Sequence, residues 1–188
     1  MHLIPNILTI LRILLLGPII YSISLEQYQL ALLLFVIAAL SDGLDGLLAR
    51  RFHWTSRFGS IADPLADKFL LMSCFIIFYR LGILPWWLVY TVIGRDFIIF
   101  FGALAYHHLI ASYELVPSQI SKINTFLQIL LIVLLLIDLA YQIVPDMVIT
   151  GMIGLVMLAA ITSGIDYIWI WGTRALAVKQ KTLSSPSK

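Results

Sequence analysis

The chain has 188 residues, of which 61% are hydrophobic and 12% charged, with a formal net charge of +2 and a mean hydropathy of +1.00. This balance excludes an ordinary water-soluble globular domain, and no nucleic-acid partner is expected. The lone Cys74 excludes an intrachain disulfide and, within an apolar run, reads as core packing.

Six apolar stretches follow one another at about 6–24, 28–50, 61–81, 86–109, 118–141 and 146–172. Each approaches the roughly 20 helical residues needed to cross a hydrocarbon core. They predict an all-α integral membrane protein, six transmembrane helices in a bundle, as one domain over 1–178. A polar cytoplasmic tail without regular structure is expected over 179–188. The first stretch carries Arg12 and no small-residue cleavage site, so it reads as a membrane helix and not a signal peptide. Short polar breaks separate the stretches, at Ser24–Gln27, Gly82 with Pro85, Glu114–Ser118 and Val144–Asp146. Trp86, Trp87, Trp169 and Trp171 sit at stretch ends, as interfacial aromatics do.

Basic residues set the orientation. Arg50, Arg51 and Arg57 fall between the second and third stretches, Lys122 opens the fifth, and Arg174, Lys179, Lys181 and Lys188 follow the sixth. The other side holds Glu26, Asp146 and the single base Arg80. Both termini therefore face the cytoplasm, as in a bacterial inner membrane protein, and the tail attracts anionic lipid. No internal repeat or inverted pair of broken helices is present, which argues against a secondary transporter.

The second and third stretches hold the chemistry. Asp42, Asp45, Asp63 and Asp67 are four of the ten acidic residues, within twenty-six positions. A charged side chain at a membrane helix centre costs roughly 2.5–3.5 kcal/mol on insertion scales, so four together need compensation. Asp42 and Asp45 share a helix face, with Arg50 about two turns beyond Asp42. Gly59, Asp63 and Asp67 line one face of the next helix. Antiparallel pairing of these helices would merge the faces into one acidic site. An all-carboxylate set suits Mg²⁺, Mn²⁺ or Ca²⁺, and four carboxylates can hold two ions. Two other readings stand beside this one: helix caps paired with Arg50, Arg51 and Arg57, or a carboxylate-lined ion transporter.

The run D-x2-D-G-x2-A-R-x8-G-x3-D-x3-D, filled by Asp42, Asp45, Gly46, Ala49, Arg50, Gly59, Asp63 and Asp67, resembles the CDP-alcohol phosphotransferase motif at every defined position. The resemblance implies a divalent-metal-dependent membrane enzyme that displaces CMP from a CDP-linked donor with an alcohol. It also implies two divalent cations, Mg²⁺ or Mn²⁺, held by Asp42, Asp45, Asp63 and Asp67, with Asp67 also as catalytic base. Asp42, Gly46, Ala49, Arg50 and Gly59 would line the CDP site, and the protein would be a homodimer.

Ile4–Arg12 and Asp63–Lys68 resemble the branch of this family that makes phosphatidylglycerophosphate and cardiolipin. That implies CDP-diacylglycerol as donor, with Asn6 and Thr9 beside the CDP site; a helix cap at Asn6 and a buried hydroxyl at Thr9 are equally open. Arg95-Asp96 stands where the phosphatidylglycerophosphate synthases have Arg-Glu, but no second arginine follows, which argues against free glycerol-3-phosphate. Pro117–Thr125 with Gln128 resembles the fifth-span opening of cardiolipin synthases, which implies phosphatidylglycerol as first acceptor and glycerol-3-phosphate as second. Arg95, Lys122 and Asn124 are the acceptor-binding candidates. Arg95-Asp96 reads equally as an ion pair orienting the site or as a neutralised pair tolerated in a bundle. His107 and His108 read as interfacial residues before metal ligands.

Overall fold

A computed structural model describes residues 3–52, 59–109 and 119–184, with side chains described over 14–41, 67–102, 119–167 and at Trp169. These residues form six α-helices and no strand: α1 (Leu3–Ser24), α2 (Tyr28–Phe52), α3 (Gly59–Arg80), α4 (Trp86–Leu109), α5 (Gln119–Tyr141) and α6 (Asp146–Ser184). The first five agree with the apolar stretches to within three residues at each end. α6 does not: it continues through Lys179 to Ser184, so the expected unstructured tail is helical over most of its length. The reason is propensity. Arg174-Ala175-Leu176-Ala177-Val178-Lys179-Gln180-Lys181 is rich in strong helix formers, and no proline intervenes before Pro186. Loss of hydrophobicity ends a membrane span without ending a helix.

Three helices end alike, with one residue in the left-handed region. Glu26 (φ 59°) closes α1, where Gln27 N–H donates to Ser22 O (2.9 Å) and Glu26 N–H to Ile23 O (3.0 Å). Gly82 (φ 74°) closes α3 in the same way, through Ile83 N–H to Phe78 O (2.9 Å) and Gly82 N–H to Tyr79 O (3.0 Å). Both are Schellman caps, which satisfy the orphan carbonyls of the last turn. Gln142 (φ 54°) closes α5 with a single bond to Asp138 O (2.7 Å), and the Asp138 carboxylate accepts from Val144 N–H (3.3 Å). The left-handed conformation costs an L-residue with a Cβ about 1–2 kcal/mol, and glycine little. Glu26→Gly and Gln142→Gly are therefore expected to stabilise by about 0.5–1 kcal/mol each. Gly82→Ala, whose Cβ meets nothing within 4 Å, should cost about 1 kcal/mol through the backbone alone. Thermal midpoints in detergent check the opposite signs; a lower midpoint for Glu26→Gly would contradict this account.

The chain packs as two compact units. The first comprises Met1–Pro85 and Ile129–Thr150, the second Trp86–Gln128 and Gly151–Lys188. In the first, α1 packs against both α2 and α3. Ile19, Ile23, Phe35, Phe75, Phe78, Leu131 and Leu136 are fully buried there, together with Cys74. The second has Leu88, Val92, Val156 and Ala160 in its core. It also buries a group of polar side chains.

Among the described residues every helix exposes large apolar side chains. Leu14, Leu33, Phe69, Tyr90, Phe126 and Leu158, one from each of α1 to α6, are 57–65% exposed. An aqueous surface does not carry large apolar side chains at that density. Gln119–Tyr141 and Asp146–Tyr167 are long and apolar enough to cross a membrane, and only 33% and 28% of their apolar windows are buried, unlike the core helix of a soluble protein. The described parts of α1 and α2, Leu14–Ser24 and Tyr28–Ser41, are apolar as well. Outward hydroxyls need no water: Ser24, Ser41, Thr91 and Thr162 each donate to the carbonyl four residues back, at 2.8 Å. In lipid that is the local way to satisfy an O–H group.

Candidate active site

The carboxylate motif lies on two continuous helices of the first unit. The backbone is helical at Asp42, Asp45, Gly46, Ala49 and Arg50 on α2 and at Gly59, Asp63 and Asp67 on α3. The spacings of three and four residues therefore act as expected: Asp42 and Asp45 share one face of α2, and Gly59, Asp63 and Asp67 one face of α3. α1, which carries Asn6 and Thr9, is the common packing partner of α2 and α3. Of these residues only Asp67 has a described side chain; it is partly buried and engaged by a neighbouring group. The side chains of Asn6, Thr9, Asp42, Asp45, Gly46, Ala49, Arg50, Gly59 and Asp63 lie outside the described residues. So do those of His107 and His108. Among the described residues no three His, Cys, Asp or Glu side chains come together.

The acceptor candidates belong to the second unit, and the structure separates their environments. Arg95 is 4% exposed and Asp96 7%. The Arg95 guanidinium makes four hydrogen bonds that tie three helices together: Nη1 to Asp96 Oδ1 (2.5 Å), Nη2 to Ser121 Oγ of α5 (2.5 Å), and Nε and Nη2 to Ser163 Oγ of α6 (3.1 and 2.5 Å). Opposite charges and hydroxyls at each fork position make its burial tolerable. A Cβ at Gly164, beside Ser163, would stand 3.8 Å from Arg95 Cγ, so the small residues of α6 sit against the arginine stem.

Asn124 follows Ser121 by one turn on the same face of α5, and Gln128 follows Asn124 by another. They are 0% and 2% exposed. Among the described residues Asn124 Nδ2 and Oδ1 and Gln128 Nε2 have no hydrogen-bond partner. Lys122 lies on a different face and is exposed. Arg95 and Asn124 thus share the buried polar group and Lys122 does not. Ser163 is the member that the sequence reading missed. Its signal was the cluster of small residues Ala159, Ala160, Thr162, Ser163 and Gly164 within the sixth apolar stretch.

The described residues are all helical, α5 and α6 contain segments long and apolar enough to cross a membrane, and the spaced carboxylate–glycine motif lies on α2 and α3. The chain belongs to the CDP-alcohol phosphatidyltransferase family, whose model matches residues 2–178. It is 34% identical over 145 residues to a human protein named cardiolipin synthase (CMP-forming), covering 69% of this chain and 48% of that protein. A Drosophila melanogaster protein named probable cardiolipin synthase (CMP-forming) is 37% identical over 142 residues, covering 67% and 44%. A Mycobacterium tuberculosis protein named probable phosphatidylglycerophosphate synthase is 30% identical over 170 residues, covering 87% and 78%. The alignment spans about half the length of the animal relatives.

Proposed function

We propose that this protein transfers a phosphatidyl group from CDP-diacylglycerol to a glycerol-based alcohol and releases CMP. The observation that carries the reading is the complete motif, on two helices that both pack against α1, in a chain that the family matches over residues 2–178. Membership of the family speaks against a carboxylate-lined ion pathway. Phosphatidylglycerol, giving cardiolipin, is the first acceptor. The similarity to cardiolipin synthases supports it, as does the absence of a second arginine after Arg95-Asp96. Glycerol-3-phosphate is the second, supported by the mycobacterial relative, which the alignment covers over the larger share.

The donor set fits hard divalent cations. All four acidic ligands are aspartates, on helices that both pack against α1, and oxygen donors suit Mg²⁺ or Mn²⁺. Asp42, Asp45, Asp63 and Asp67 would hold two such ions. When bound, they neutralise the diphosphate and stabilise CMP as leaving group. Arg50 adds a positive partner for the diphosphate, and Gly46, Ala49 and Gly59 keep the helix faces open to the nucleotide, with Asn6 and Thr9 beside it. The acceptor oxygen attacks the phosphorus bearing the diacylglycerol, the bond from that phosphorus to the CMP oxygen breaks, and Asp67 takes the hydroxyl proton. The positive-inside distribution supports six spans with both termini and the chemistry at the cytoplasmic face, and the homodimer rests on the family resemblance alone. A bacterial inner membrane suits such a protein.

The test is product formation by purified protein with CDP-diacylglycerol, Mg²⁺ or Mn²⁺, and either phosphatidylglycerol or glycerol-3-phosphate. Mass spectrometry is expected to find cardiolipin in the first mixture. Phosphatidylglycerophosphate in the second alone would reverse the order of acceptors.

A further inference from the structure

We propose that a cavity in the first unit, at the far end of α2 from the carboxylate motif, binds the primary-ammonium headgroup of a zwitterionic phospholipid, with Glu26 as the charge that selects it. The cavity has a volume of about 380 Å³ and is lined by residues 26–30 of the α1–α2 turn and by Leu139 and Ala140 near the end of α5. All of these residues belong to the first unit. Positions 28 and 42 of α2 stand about 21 Å apart along the helix axis, so the cavity is separate from the motif. Its ligand does not depend on the transferase reading.

The lining sets the chemistry of the ligand. Glu26 is the one carboxylate there, and among the described residues no basic side chain lines the cavity with it, so a cation is favoured over an anion. Gln27, Tyr28 and Gln29 add amide and phenol groups that both donate and accept, which suits an N–H-bearing cation attached to a phosphate. A quaternary ammonium has no N–H to donate and is held by a cage of aromatic faces; only Tyr28 supplies a ring here. A bare metal ion would leave most of the space empty, since the volume equals that of about a dozen water molecules. Glu26, Gln27 and Gln29 are exposed, whereas Tyr28, Leu139 and Ala140 are half-buried. A polar mouth beside an apolar wall, at the break between two apolar stretches, lies at the level of lipid headgroups.

The backbone agrees. Glu26 sits at φ 59°, where glycine would be unstrained. Its N–H and that of Gln27 are fixed to Ile23 O and Ser22 O, so the carboxylate is carried on a pinned cap and not on a loose loop. A strained side-chain-bearing residue in a cavity wall is the pattern of a ligand clamp, in which stability is given up for a side chain in place.

Native mass spectrometry of the full chain, released from nanodiscs of equal parts phosphatidylethanolamine and phosphatidylcholine, tests this. The two lipids differ only in the N–H groups of the ammonium, and the wild type is expected to retain phosphatidylethanolamine in about fivefold preference, the worth of one net hydrogen bond. Glu26→Gln, which keeps the size of the side chain, should at least halve that preference, and Glu26→Gly should bring it close to one. In lipid-free detergent Glu26→Gly should nevertheless melt above the wild type, so loss of the lipid cannot be put down to loss of the fold. Free phosphoethanolamine at the same concentration should not displace the lipid, because it has nothing to lay against Leu30 and Leu139. A wild-type preference near one, or variants that keep the wild-type preference, would overturn the site. Displacement by free phosphoethanolamine would give the cavity to a soluble amine and overturn the lipid as its ligand.

Discussion

Asp67→Asn is expected to reduce turnover by about 10²–10⁴-fold, the range that removal of a general acid or base produces, with the fold retained. Asn has nearly the size and shape of Asp, and position 67 is a partly buried, helical site in α3, so the substitution removes charge and basicity without opening a cavity. The variant separates the two tasks assigned to this residue. Were Asp67 only a metal ligand, raising Mn²⁺ would restore much of the rate, because weaker binding is overcome by mass action. A base cannot be replaced in that way, so the rate should stay low at saturating metal. Turnover is read as CMP release and folding as the thermal midpoint in detergent. Substantial residual activity at ordinary metal concentrations would remove Asp67 from the role of base.

Arg95→Met is expected to destabilise the second unit by about 3–5 kcal/mol, the cost of breaking a buried ion pair from one side. The side chains of Arg95 and Asp96 are 3% and 9% exposed, so solvent does little to screen the loss. Arg95→Lys should recover only part of it. An ammonium keeps the charge but has no planar fork with which to reach Asp96, Ser121 and Ser163 together. Arg95→Met combined with Asp96→Leu should be much less damaging than Arg95→Met alone, because removing both charges leaves neither buried alone. Chemical denaturation of the single and double variants gives the coupling energy. If Arg95→Met melts like the wild type but loses affinity for the acceptor, Arg95 contacts the acceptor directly and does not serve as a structural tie.

The helices were legible because a lipid core demands a run of apolar length and turns demand punctuation. Gly82 announced the end of α3 in the sequence. The ends of α1 and α5 were legible from their polar breaks, but not that Glu26 and Gln142 take the left-handed cap, which is forced there on residues that do not favour it. The far end of α6 was misjudged because hydropathy reports where lipid ends, whereas helix propensity in 174–181 decides where the helix ends. The motif was legible down to which residues share a face, because spacings of three and four translate directly into helix geometry. The Arg95 network was not. Ser163 lies 68 residues along the chain from Arg95, and only the packing of three helices reveals that the hydroxyls of Ser121 and Ser163 complete the arginine fork. The unmatched amides of Asn124 and Gln128 were likewise beyond the sequence, because whether a polar side chain finds a partner depends on every neighbour around it.

CMP release is the most direct measure of the central claim, that four aspartates on α2 and α3 serve phosphatidyl transfer to an alcohol. Purified protein is mixed with CDP-diacylglycerol and phosphatidylglycerol, with Mn²⁺ or Mg²⁺ or with excess chelator, and CMP is quantified beside the lipid products. CMP and cardiolipin are expected in equal amounts with the divalent cation and in neither form with chelator. CMP formation unaffected by chelation, or no CMP with phosphatidylglycerol or glycerol-3-phosphate at any metal concentration, would contradict the assignment.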